Sequence, residues 1–409
     1  MPLTRRQWVL AAAAWSAACS SPAPEPETAV ETPPEADFLK NVHVIDLHCD
    51  TPMRIAAEGF DLGKRNDYGQ VDIPRLHEGG YTGVFFSVYC PGARGATPEK
   101  FQEALDIMAK IEAEVGRHPG DLFLGDSAGD IERAKQEGKI TILYGIEGGH
   151  MIDSKLDNLR TLFSKGGRYM TLTHSKHTPW AGSSGDTAAD DPGLTELGRE
   201  IVAEMNRLGM MVDVSHISDK TFAAVRETSA APLIASHSSC RALSSAPRNM
   251  TDGMLKQVAD TGGVVHINYY DGFLDDGFRA RSAAWGEDHK GEAEKLKAEY
   301  AGDPQGLAHA LYRRQIAKLD EIGRPPLAVL LDHFEHAVTV MGVEGVGLGS
   351  DFDGVDEELP EGMEDCSKTM NLVEGLRGRG LSDGDISKIL GENTLRVMRD
   401  VQAAAKPDA

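Results

Sequence analysis

Residues 210–237, MMVDVSHISDKTFAAVRETSAAPLIASH, hold the pattern from which the fold is read. An apolar, β-branched run, Met210–His216, leads to Ser218 as a helix cap and a helical stretch, Asp219–Thr228. A second apolar run, Pro232–His237, follows. Short apolar strands with a helix between them predict neighbours in a parallel sheet covered on both faces. Each run also closes on a histidine, His216 and His237.

The alternation continues in both directions. Val42–His48, Thr82–Tyr89, Ile140–Glu147, Tyr169–His174, Gly262–Tyr270 and Val346–Asp351 read as further strands. Pro98–Val115, Ala128–Glu137, Leu156–Ser164, Leu194–Leu208 and Asp252–Ala259 read as helices, with Thr97 and Thr251 as caps. Roughly eight such units predict a (β/α)8 TIM-type barrel, with a doubly wound open sheet as the other arrangement such a count allows. The polar, helical stretch 271–325 reads as an insertion after the seventh strand that could cover the mouth. Helices over Ala328–Met341, Thr369–Gly378 and Asp383–Val401 close the chain.

The chain has 409 residues, 41% of them hydrophobic and 26% charged, enough for a large core and too apolar for wholesale disorder. Lys and Arg number 42 against 64 Asp and Glu, a net charge of −22 that argues against bulk nucleic-acid binding. Five cysteines are too few for a disulfide scaffold, and no apolar run reaches transmembrane length. Residues 1–18 carry a cationic start with adjacent Arg5 and Arg6, an Ala-rich apolar stretch and small residues before Cys19. These are the parts of an export signal of twin-arginine type. Ser16-Ala17-Ala18-Cys19 resembles a lipoprotein cleavage box with Cys19 as the lipidated residue, although Ser16 stands where such boxes usually carry Leu. Residues 19–37 are rich in Pro and Glu and read as a disordered tether. The folded unit is expected over 38–409, exported to the periplasm or cell envelope and touching the membrane only through a lipid at Cys19.

Most predicted strands end in a residue that binds metals or titrates: His48 and Asp50, Glu147, His174, His216, His237 and Asp351. Strand C-termini of a barrel converge on one mouth, where such folds place their chemistry. His48 and Asp50, two apart in extended chain, share a face and offer nitrogen and oxygen donors suited to zinc. A histidine satisfied by its neighbouring aspartate is the other reading of that pair. Cys49 between them points away and reads as a buried thiol. His216 and His237, on consecutive strands, can face one another, which suggests a second metal position. Glu147 has two oxygens with which to bridge ions about 3.5–4 Å apart. Asp351, in GSDFDG (349–354), is assigned to move the proton of a hydrolysis, with Asp353 as a turn residue.

Together these stretches resemble the membrane (renal) dipeptidase family of zinc metallopeptidases. The matching segments are VIDLHCDTPMRI (44–55), GIEGGH (145–150), YMTLTHSKHTPWAG (169–182), VDVSH (212–216), IASHSSCRALSSAPRN (234–249), GSDFDG (349–354) and ILGENTLRVM (389–398). The resemblance implies a metal-hydrolase barrel with two zinc ions, His48 and Asp50 on one, His216 and His237 on the other, and Glu147 between them. It further implies Asp351 as acid and base, His174 polarising or positioning the scissile amide, and Arg248 holding the substrate carboxylate. The implied activity is zinc-dependent hydrolysis of dipeptides with a free C-terminal carboxylate, by water activated between the two ions. Lys176 stands where mammalian relatives carry a cysteine of a structural disulfide, so Cys90 is expected unpaired, as are Cys49, Cys240 and Cys366. Those relatives also carry a C-terminal lipid anchor, whereas this chain has no hydrophobic C-terminal tail, which places any anchor at Cys19. Another small amide, such as a β-lactam or an N-acyl amino acid, fits the same chemistry. A non-catalytic zinc- or peptide-binding lipoprotein is the reading of a different class, and a homodimer is compatible with the sequence.

Overall fold

The computed structural model describes residues 34–58, 60–92, 98–187 and 190–406. The expected export signal, Cys19, most of the tether and the cap at Thr97 lie outside the described residues. A helix over Pro34–Asn41 occupies the last residues assigned to the tether.

Nine parallel strands are present among the described residues: β1 (Val44–Cys49), β2 (Tyr81–Val88), β3 (Leu122–Leu124), β4 (Ile140–Glu147), β5 (Gly167–Thr171), β6 (Met211–Asp213), β7 (Leu233–Ala235), β8 (Val264–Ile267) and β9 (Val346–Leu348). Their order is β2-β1-β9-β8-β7-β6-β5-β4, and β4 pairs back onto β2 from Gly83↔Thr141 to Val88↔Ile146. The ring is therefore closed, and the barrel expected from the sequence is the architecture found. The strand that the sequence reading missed, β3, pairs with the first residues of β4, below the point where β5 takes over at Tyr144. At three residues it is too short to show a periodicity.

Helices form where the amphipathic pattern placed them. Ser218 and Thr251 each accept a hydrogen bond from the backbone N–H three residues on, at Thr221 and Met254, which satisfies an otherwise orphaned donor. The expected single helix over 383–401 is divided: Asp383–Ser387 runs into a π-turn, Lys388–Glu392, and then Asn393–Ala404. The turn brings Gly391 so close to the backbone of His43 that a Cβ would lie 2.6 Å from its carbonyl oxygen.

The buried apolar side chains separate into two clusters. One fills the space between strands and surrounding helices. The other holds the inward residues Ile45, Leu47, Phe85, Leu143, Tyr169, Met211, Ile234 and Val264, together with Leu395, Val397, Met398 and Val401 of the last helix. That helix therefore stoppers the barrel at one end, and the polar strand ends lie at the other. The insertion after β8 is helical, as expected, with Asp271–Leu274, Asp276–Asp288, Glu292–Glu299 and Pro304–Ile322. Cys49, Cys90, Cys240 and Cys366 are buried free thiols. Among the described residues no helix is long and apolar enough to cross a membrane.

Candidate active site

The strands stop sooner than the sequence suggested. β5 ends at Thr171, β6 at Asp213, β7 at Ala235 and β9 at Leu348, so His174, His216, His237 and Asp351 stand on the first residues beyond their strands. Local side-chain bonds compete with the ladder at these ends. Asp46 Oδ1 accepts from the backbone N–H of His48 at 3.1 Å and of Ser350 at 3.0 Å. Asp213 Oδ1 does the same for Ser215 at 3.0 Å and Ser236 at 2.8 Å. His216, Asp351 and Asp353 each adopt φ of 66°, the left-handed region, which turns their side chains off the strand direction. Such backbone costs about 1–3 kcal/mol per residue and persists where the surroundings enforce it.

At β1 the alternation itself slips. Ile45 and Leu47 face the barrel interior, which on strict period two would bring Cys49 inward as well. The pairing with β2 is irregular between Asp46 and Cys49, and Cys49 instead joins the outer cluster. His48 and Asp50 thereby share the inward direction.

Four imidazoles converge on one carboxylate oxygen. Glu147 Oε1 lies 3.1 Å from His216 Nε2, 3.5 Å from His48 Nε2, 3.5 Å from His237 Nε2 and 3.7 Å from His174 Nε2. His216 and His237 Nε2 are 2.8 Å apart, and His48 Nε2 is 3.5 Å from Asp50 Oδ2. Asp50 and Asp351 are close neighbours, for a Cβ at Gly354 would meet Asp50 Oδ2 at 2.1 Å and Asp351 Oδ1 at 2.6 Å. Among the described residues, three donor sets of this cluster could each hold a cation: His48–Glu147–His237, Glu147–His174–His216 and His48–Asp50–Asp351. His48 Nε2 and Asp50 Oδ1 are buried without a hydrogen-bond partner. Orphaned donor atoms aimed at one point, mixed nitrogen and oxygen in type, suit a zinc-like ion.

Titration follows the same geometry. Burial pushes His48 down, but Glu147, Asp50 and Asp351 outweigh it and hold the imidazole at about 10. Burial pushes Glu147 and Asp351 above the usual carboxylate range, against the attraction of His48. His216 and His237 are held well below their ordinary value by burial and by Arg248 and the neighbouring imidazoles. His174 falls to about 4 for the same reasons, burial first. A metal bound here would take the place of the His48 proton, because ligation needs the bare nitrogen.

The cluster forms the floor of a cavity of about 410 Å3, also lined by Tyr89, Tyr270 and Phe273. Phe273 belongs to the start of the insertion, and Tyr270 immediately precedes it. Seven of the expected site residues are thus together: His48, Asp50, Glu147, His174, His216, His237 and Asp351. Arg248 stands one layer back, with Nη2 on the His237 carbonyl at 3.1 Å, its guanidinium 5.3 Å from the centre of the Phe273 ring, and Nε without a partner. Asp353 points elsewhere, accepting from Thr51 Oγ1 at 2.7 Å, Arg54 Nε at 2.7 Å and Gln70 N at 2.8 Å. Sequence reasoning missed Asn268, whose side chain donates to Asp351 Oδ2 at 2.8 Å, and Tyr169, Asp213 and Ser236 beneath the imidazoles. A polar residue inside an otherwise apolar strand, as in Met-Val-Asp-Val, was the available signal for Asp213. A larger cavity, about 580 Å3, opens at the opposite end beside Leu39, Tyr81 and Ile140. Among the described residues, none of the candidate donor sets touches it.

Residues 35–409 match the model of a family described as membrane dipeptidase, peptidase family M19. A probable dipeptidase, PvdM, from Pseudomonas aeruginosa is 26% identical, with a TM-score of 0.75 over 91% of this chain and 98% of that one. The metallopeptidase named dipeptidase AC is 26% identical, with a TM-score of 0.71 over 88% and 99%. A Rhodobacter sphaeroides metallopeptidase, solved with a phosphinate mimic of L-Ala-D-Ala, shares the fold at 24% identity and a TM-score of 0.71 over 88% and 99%.

Proposed function

Because the chain belongs to the membrane dipeptidase family and is a metallo-dipeptidase, we propose that it hydrolyses dipeptides bearing a free C-terminal carboxylate with a pair of zinc ions. The observation that carries this reading is the convergence of four imidazole nitrogens on Glu147 Oε1 beside Asp50 and Asp351. His48 and Asp50 would hold one ion and His216 and His237 the other, with Glu147 shared. When bound, the ions supply Lewis-acid polarisation and lower the pKa of water from 15.7 toward about 7.

The rest of the work falls to the chain. Asn268 pins Asp351 Oδ2, which leaves Oδ1 to take the proton of the attacking water and deliver it to the departing amine. Burial makes that carboxylate a stronger base than one in water. His174 is the most exposed of the four imidazoles, at 21% against 0%, 12% and 1% for His48, His216 and His237. A rim position and a pKa of about 4 suit a neutral N–H donor to the scissile carbonyl as negative charge builds there. Arg248 offers a planar fork for the substrate carboxylate. The cavity has the size of a small-molecule site, which limits the substrate to a short peptide. Arg5, Arg6 and Cys19 support export and lipid attachment of the enzyme at the cell envelope.

Chelator-treated protein should lose hydrolysis of simple L,L- and L,D-dipeptides and regain it on loading with about two zinc ions per chain. Protein carrying both ions that cleaves no dipeptide overturns the reading. Arg248→Ala should raise KM for dipeptides about 10- to 100-fold and leave dipeptide amides unaffected. An unchanged KM removes the carboxylate clamp.

A further inference from the structure

Beneath the imidazoles lies a buried chain of hydroxyls that ends on Asp213. Oδ1 of Asp213 accepts from the N–H groups of Ser215 and Ser236, as given above. Its Oδ2 accepts from Thr171 Oγ1 at 2.5 Å and Ser236 Oγ at 2.6 Å. All of these neighbours can donate, so both oxygens of the carboxylate are filled as acceptors.

The direction of the bond to His237 follows. A hydroxyl has one proton and two acceptor positions. Ser236 spends its proton on Asp213, so it must accept from His237 Nδ1, 2.7 Å away, and that nitrogen bears hydrogen. The Tyr169 hydroxyl also interacts with Ser236. Tyr169 in turn holds His48, its hydroxyl 2.8 Å from Nδ1. His237 is thereby fixed with Nδ1 protonated and Nε2 turned toward Glu147, and His48 is anchored through Nδ1 with its Nε2 turned the same way. Tyr169 reaches across the barrel only because residue 145 is glycine: a Cβ there would lie 2.0 Å from its ring.

We propose that Asp213, through Ser236 and Tyr169, is the positioning group that sets the tautomer of His237 and the orientation of His237 and His48 together. This rests on the reading of those two histidines as metal ligands. One carboxylate then governs ligands assigned to different ions, so loss of the Ser236 hydroxyl, which touches both branches, should loosen both. Partners of this kind typically contribute about 10- to 100-fold in metal affinity.

The test uses the full chain and zinc alone, with affinity measured by competition against a chromophoric chelator and melting temperature measured on metal-free protein. Ser236→Ala should weaken binding of both ions about 10- to 100-fold while the metal-free melting temperature moves by only a few degrees. Tyr169→Phe removes one hydroxyl, keeps the ring over Gly145, and should weaken the ion assigned to His48 alone. His237→Ala serves as the reference for the ligand reading. If His237→Ala loses zinc while Ser236→Ala and Tyr169→Phe bind it as the wild type does, the positioning role is overturned and the ligand assignment stands. If His237→Ala itself binds two ions with undiminished affinity, the ligand assignment fails.

Discussion

At one end of the barrel Leu395, Val397, Met398 and Val401 meet the lower inward residues, among them Ile45 and Leu143, and every one of these side chains is apolar and buried. At the other end the same strands deliver four imidazoles and three carboxylates into a space they share, with His216 and Asp351 in left-handed backbone. Each large side chain buried at the stoppered end contributes about 1.5–3 kcal/mol. Buried ionisable groups and enforced φ values at the mouth act in the opposite direction. The two ends share one sheet, so apolar packing at the bottom can offset the strain held at the top. The contrast teaches that stability and chemistry are separable here along the strand axis.

Substitutions at each end can break that separation. The largest effect is expected for Asp351→Asn, which keeps the size and the Asn268 neighbour but removes the proton acceptor. Turnover should fall about 10²- to 10⁴-fold with zinc content unchanged, read by steady-state kinetics beside metal analysis. Met398→Ala should cost about 2–5 kcal/mol through the cavity it leaves, lowering the melting temperature while kcat per folded molecule stays at the wild-type value. A fall in kcat without a fall in melting temperature would show that the bottom of the barrel shapes the mouth directly.

The smallest effect concerns Asp271, at the start of the insertion. Both its carboxylate oxygens are buried without a partner, and burial pushes its pKa up to about 8. The folded state then holds a proton that the unfolded chain has released. This contribution to stability is full below about pH 4 and is lost as pH rises through about 8. Asp271→Asn should therefore flatten the decline of melting temperature over that interval. Parallel pH profiles for the two proteins would remove Asp271 as a source of strain near the mouth.

Much of the site was legible because donor chemistry and strand endings are local properties. His48, Asp50, Glu147, His216, His237 and Asp351 could be picked from the chain as donors that follow apolar runs. Histidine alone was not a sufficient sign. His266 also sits on a strand, β8, yet Nδ1 lies 2.9 Å from the Ala235 carbonyl and Nε2 3.1 Å from Thr394 Oγ1, which leaves no nitrogen for a metal. Nothing near His266 in sequence distinguishes it from His237, because the difference lies in groups 31 and 128 residues away. The slip of alternation at His48 was equally invisible, since period two is a rule for regular pairing and the irregularity arises against β2.

The sequence by itself determined the alternation of strand and helix, hence the parallel barrel, and the kinds of donor available at its strand ends. Tertiary structure alone decided which histidines turn Nε2 toward a common point, how Glu147 comes to face four rings at once, and that Tyr169 spans the barrel over Gly145. The physical reason is range. Periodicity and capping act within a few residues, whereas convergence on one oxygen follows from closing a ring whose staves are drawn from positions 44 to 348.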